Sequence, residues 1–103
     1  MDGRVRSQDA AERLGQNVLT ARRRAGFSQE ELGALAGLHR TEIGFVEGGR
    51  RLPRADTLIK LASALGVDAG ELLAGVEWIV PASSRPGHFS IRSRALGGGA
   101  DAR

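Results

Sequence analysis

Arg40, Thr41, Gly44 and Phe45 fall on one side of the stretch 40–47, and Ile43 and Val46 hold an i, i+3 apolar spacing on the other. An arginine there can bond a guanine edge bidentately. A threonine can bond a base or touch a thymine methyl. A short helix carrying these groups outward fits the DNA major groove, which is about 12 Å wide. Catalytic chemistry finds no comparable grouping. The chain has no cysteine, and its two histidines, His39 and His88, form no ligand cluster, so neither a metal nor another cofactor is expected. Ser28 is better used as a helix cap than as a nucleophile. Glu30 and Glu31 lie on a solvated helix face, and the Gly97–Gly99 run has no strand or helix around it. The chain is not expected to be an enzyme.

A platform must hold that outward face. Ser28 with Glu31 three residues later makes a capping box, so a helix runs from there to about Ala36, with Leu32, Leu35 and Ala36 facing inward. Gly37 breaks it where the backbone needs a left-handed conformation. Gly33 and Ala36 are small enough to let this helix approach the next, over 40–47, which ends at Gly48 and Gly49. Before them, Ala10, Leu14, Val18, Ala21 and Ala25 mark one face of a helix ending at Gly26. After them, Leu58, Leu61, Ala62 and Leu65 mark an amphipathic helix ending at Gly66, and a short fifth helix covers about 69–73. Short linkers join these segments, as in a compact all-α domain.

The charge is patterned. Residues 1–26 carry six arginines against three acids, and residues 50–66 carry three arginines and a lysine against one acid. Between them, residues 27–49 carry one arginine against four glutamates. A net charge of +3 permits a nucleic-acid partner without requiring one. No apolar run of about 18 residues is present to span a membrane, and no signal-peptide pattern opens the chain. The expectation is a cytoplasmic protein.

The run from Phe27 to Gly49, with Pro53, residues 57–67 (Thr57 through Val67) and Glu71-Leu72-Leu73, resembles the Cro/cI-type, or XRE, helix-turn-helix regulators. The resemblance covers roughly residues 12–74. It implies an all-α, five-helix lambda-repressor-like bundle that binds double-stranded DNA, usually as a homodimer. It further implies a transcriptional regulator, a repressor acting by occlusion, with the helix over 40–47 in the major groove. By position, Arg40 and Thr41 match base-contacting residues. Phe45 matches a base-facing position that is commonly polar in the family, so it either packs on thymine methyls or turns inward. Gln29 matches a phosphate contact, and Arg50, Arg51 and Arg54 fall in a loop that supplies further phosphate contacts. Arg22 and Glu47 match an ion pair that ties the first helix to the reading helix.

Four regions are expected: a flexible N-terminus over 1–9, the DNA-binding domain over 10–75, an extended segment over 76–92, and a disordered tail over 93–103. Within 76–80 and 88–91 the β-branched and aromatic residues read as a short hairpin, with Phe89 and Ile91 on one face. A lone hairpin is marginal in water, so its apolar side chains need a partner. Trp78, Val80 and Phe89 are the candidate dimer contacts. The alternative is an antitoxin or adaptor that grips a partner protein.

Overall fold

The computed structural model describes residues 4–92. Five helices follow a two-residue strand and precede a hairpin: β1 (Arg4–Val5), α1 (Ser7–Ala25), α2 (Gln29–Ala36), α3 (Arg40–Glu47), α4 (Ala55–Leu65), α5 (Ala69–Leu72), β2 (Val76–Ile79) and β3 (His88–Ile91). Leu14, Val18, Leu32, Ile43, Leu61 and Leu72 are fully buried and draw all five helices onto one core. The fold is the expected helical bundle with a short C-terminal hairpin.

Two expectations need correction. The first helix starts ahead of Ala10, where its apolar spacing begins. The Arg6 backbone N–H donates to the Asp9 carboxylate at 3.1 Å, so α1 begins at Ser7. Arg4 and Val5 pair antiparallel with Ser90 and Phe89, which makes the hairpin a three-stranded sheet in the order β1-β3-β2. Residues 1–3 and the tail expected over 93–103 lie outside the described residues. The second correction concerns α2. Leu35 is 59% exposed instead of inward-facing. The buried arc of α2 is Leu32, Gly33 and Ala36, and Leu35 falls outside it.

Gly33 takes the inward place because the turn after α2 folds back against it. A Cβ there would stand 2.5 Å from the Leu38 carbonyl oxygen. Gly37, at φ 69°, makes the left-handed turn that permits this return. Gly15 does the same for α1 and α3, since a Cβ there would collide with the carbonyl oxygens of Val46 and Glu47.

The sheet is fastened to α1. The buried Asn17 amide donates to the carbonyls of Leu72 at 3.0 Å and Ala74 at 2.9 Å, fixing the exit from α5. Arg13 donates to the Arg92 carbonyl at 2.8 Å, just past β3. Trp78 stands opposite Phe89 in the β2–β3 register, and their rings meet edge to face at 5.1 Å and 84°. Val76 opposes Ile91, so Trp78, Val76, Phe89 and Ile91 share one face, as the alternation predicts for Phe89 and Ile91.

Candidate nucleic-acid interface

The capping boxes set where the outward helix starts. Ser28 caps α2: its hydroxyl accepts from the Glu31 N–H at 3.0 Å, and its own N–H donates to the Glu31 carboxylate at 2.8 Å. His39 caps α3. Its Nδ1 accepts from the Thr41 N–H at 3.0 Å, and its N–H donates to the Glu42 carboxylate at 3.3 Å. The Thr41 hydroxyl lies 2.8 Å from the same His39 nitrogen. The cap thus holds the Thr41 side chain beside the first turn of α3. Glu42 is thereby turned to the start of its own helix. His39 as a cap was missing from the sequence reading. The glutamate three residues later was the available signal.

Below α3, Arg22 and Glu47 form the expected ion pair. The Arg22 Nε donates to Glu47 at 2.6 Å and Nη2 at 3.0 Å, with side chains 12% and 6% exposed. The hydrogen bonds that Arg22 donates to Glu47 raise the Arg22 pKa above its ordinary value, burial opposes that rise, and Coulombic attraction to Glu47 adds to it. Arg22 also donates to the Phe27 carbonyl at 2.8 Å, which ties in the turn before α2. Glu47 accepts a further bond, from the Gln29 amide at 3.0 Å. One carboxylate therefore positions α1, the first residue of α2 and the end of α3.

The exit from α3 is equally confined. Gly49 has φ 68°, and a Cβ on it would come 2.6 Å from the Cα of Glu12. The Gln8 amide donates to the Gly49 carbonyl at 2.6 Å. Neither the Gly15 nor the Gly49 approach has a local sequence signal, because each depends on a helix arriving from elsewhere in the chain.

On this base the candidate residues gather on one side of the molecule. Gln29, Arg40, Thr41, Phe45 and Arg50 line a single open groove. Arg51 and Arg54 line a second depression that shares Phe45 and Arg50 with it. All seven side chains are exposed. Phe45 does not turn into the core: it is 52% exposed, and the Arg50 guanidinium sits over its ring, 5.6 Å from the centroid. Arg54 precedes α4 and pairs with Asp56 at 3.4 Å on the surface. Trp78, Val80 and Phe89 are not in this grouping. They belong to the sheet segment, where Trp78 is 55% and Val80 78% exposed and Phe89 is half-buried.

The arrangement offers hydrogen-bond donors on a rigid convex helix beside a row of arginines. Such a surface suits a polyanion with a groove. Among the described residues no group of three or more His, Cys, Asp or Glu could hold a metal ion, and no helix is long and apolar enough to cross a membrane.

Comparison with known proteins agrees with this geometry. A helix-turn-helix family model matches residues 18–72, which include α2, α3 and the arginine loop. Control protein C.SmaI of Serratia marcescens is 42% identical over 72 residues, covering 70% of this chain and 86% of that protein. The crystal structure of the restriction-modification controller protein C.AhdI from Aeromonas hydrophila superposes with a TM-score of 0.59 at 39% identity, covering 60% of this chain and 94% of that one. The P22 c2 repressor, solved in complex with a synthetic operator, superposes with a TM-score of 0.57 at 26% identity, over 60% of this chain and 94% of its own.

Proposed function

The chain belongs to the helix-turn-helix family of DNA-binding transcriptional regulators, a non-enzymatic class, and from that premise we propose that it is a sequence-specific, homodimeric repressor acting in the cytoplasm. The observation that carries this reading is the grouping of Arg40, Thr41 and Phe45 on the exposed face of α3, with Gln29, Arg50, Arg51 and Arg54 around it. Arg40 bonds a guanine edge, and Thr41 bonds a base or touches a thymine methyl. Gln29 and the loop arginines take phosphates and set the register of α3, without selecting sequence. The Arg22–Glu47 pair keeps Gln29 and α3 in one rigid unit, so phosphate and base contacts form together. Repression follows by occlusion of the occupied site.

Two copies place their α3 helices in successive major grooves about 34 Å apart on a pseudo-palindrome. The exposed Trp78 and Val80, with Phe89 behind them, are the surface for that pairing, since aromatic side chains of this size anchor interfaces. The same exposed apolar side chains favour the second reading, an antitoxin or adaptor in which a different protein covers the sheet. Selection of bound sequences from randomised duplexes tests the main reading. The expected result is enrichment of an inverted repeat with half-sites one helical turn apart. Recovery of unenriched sequence at low salt refutes specific recognition. A single unrepeated half-site at stoichiometric binding refutes the dimer.

A further inference from the structure

We infer that the groove beside Gly44 and Phe45 takes the C5-methyl group of a thymine in each half-site. This rests on the DNA-binding reading above, and names the chemical group that α3 reads at its centre.

Gly44 carries the first part of the argument. It sits inside an eight-residue helix, where glycine is among the least favourable residues. Its φ is not positive, so the backbone does not require glycine. A Cβ on Gly44 would meet nothing within 4 Å, whereas one on Gly15 or Gly33 would collide with a neighbouring backbone. Packing within the chain therefore does not require glycine either. What a side chain at Gly44 would obstruct is the open groove lined by Arg40, Thr41, Gly44, Phe45, Gly48 and Arg50.

Phe45 carries the second part. A 52% exposed phenylalanine on a polar helix face leaves apolar surface in water. Arg50 lies over the ring and limits its freedom to swing away. The ring has no atom that can bond a base edge. The one apolar group that base edges present in the major groove is the thymine C5-methyl. A methyl seated over Gly44 packs against the ring, while Arg40 and Thr41 make polar contacts on either side. 5-Methylcytosine carries the same methyl at the same place, so the chemistry recognised is that of a 5-methylpyrimidine.

The test uses the full chain and its selected duplex, with deoxyuridine replacing each thymidine singly. The expected result is one thymine per half-site where the replacement weakens wild-type binding about fourfold, the factor for burying one methyl group. Phe45→Ala should bind more weakly overall and be indifferent to uracil at that position. At the same position, a duplex with 5-methylcytosine should bind about fourfold more tightly than one with cytosine. Gly44→Ala should raise Tm by about 4 °C through better helix propensity, yet bind the selected duplex at least about tenfold more weakly. Indifference of the wild type to uracil at every thymine, on a duplex it binds tightly, overturns this inference and leaves the DNA-binding reading intact. So does a uracil penalty that persists in Phe45→Ala, and so does Gly44→Ala binding like wild type. Failure of the wild type to select any duplex overturns both.

Discussion

Glu47 accepts three hydrogen bonds, two from Arg22 and one from Gln29, and so ties α1 and α2 to the end of the reading helix. Glu47→Ala leaves Arg22 buried beside no carboxylate. The expected cost is about 3–5 kcal/mol in denaturant unfolding, the penalty for breaking one side of a buried pair. That is a large part of the roughly 5–15 kcal/mol by which a domain is stable. Combining Glu47→Leu with Arg22→Met should recover much of the loss, because an apolar pair carries no desolvation penalty. A loss under about 1 kcal/mol in Glu47→Ala would show that the pair is not structural. At this scale the sequence was informative wherever residue type and position coincide. Arg22, Glu47 and the Ser28–Glu31 box stand where they were expected. Phe45 was open between the core and the surface, and the sequence contained no means of deciding, since an aromatic serves either place. The cation beside it, Arg50, lies beyond the end of α3, and only the fold brings the two together.

Among the elements, close backbone approach decides the geometry. α3 lies against α1 at Gly15, and the turn after α2 returns against Gly33. Gly33→Ala and Gly15→Ala each gain helix propensity of about 1 kcal/mol. Each also drives a methyl into a carbonyl oxygen that belongs to a packed helix or turn, a strain of about 1–3 kcal/mol or more. Both are expected to destabilise the protein in thermal unfolding, opposite in sign to Gly44→Ala. Stabilisation by either would contradict the packing described. Ser28→Ala should cost about 1 kcal/mol through loss of the α2 cap. The boundaries of α3 were legible to the residue because Gly37, the Ile43–Val46 spacing and Gly48-Gly49 mark both ends. Gly33 was legible as a place of close approach, but its small size suggested the next helix as the neighbour, where the turn at Leu38 comes nearest. Gly15 was not, because glycine within a long helical pattern reads only as a propensity loss until the opposing helix is known. Leu35 misled the reading for a related reason: spacing of three from Leu32 suits an inward face only when the apolar arc is wide, and α2 buries a narrow one.

For the whole molecule, α1 is the common support. It contacts α3 on one side, holds the exit from α5 through Asn17 and reaches the end of β3 through Arg13. The N-terminal strand had no legible signal, since two residues show no periodicity and their pairing partner lies at the far end of the chain. The hairpin was legible from its β-branched and aromatic alternation, but not its fastening to α1. If Trp78 and Val80 are the dimer surface, Trp78→Arg should shift sedimentation equilibrium toward the monomer and weaken binding to a full inverted repeat far more than to a half-site. Persistence of the dimer would place the interface elsewhere. The central claim is that α3 reads DNA through its leading residues, and the most direct test is an equilibrium titration of wild type and Arg40→Ala against the selected duplex and a scrambled one at fixed salt. The account predicts that Arg40→Ala loses about 1–3 kcal/mol on the selected duplex and much less on the scrambled one. Equal affinity of the two proteins for the selected duplex would contradict it.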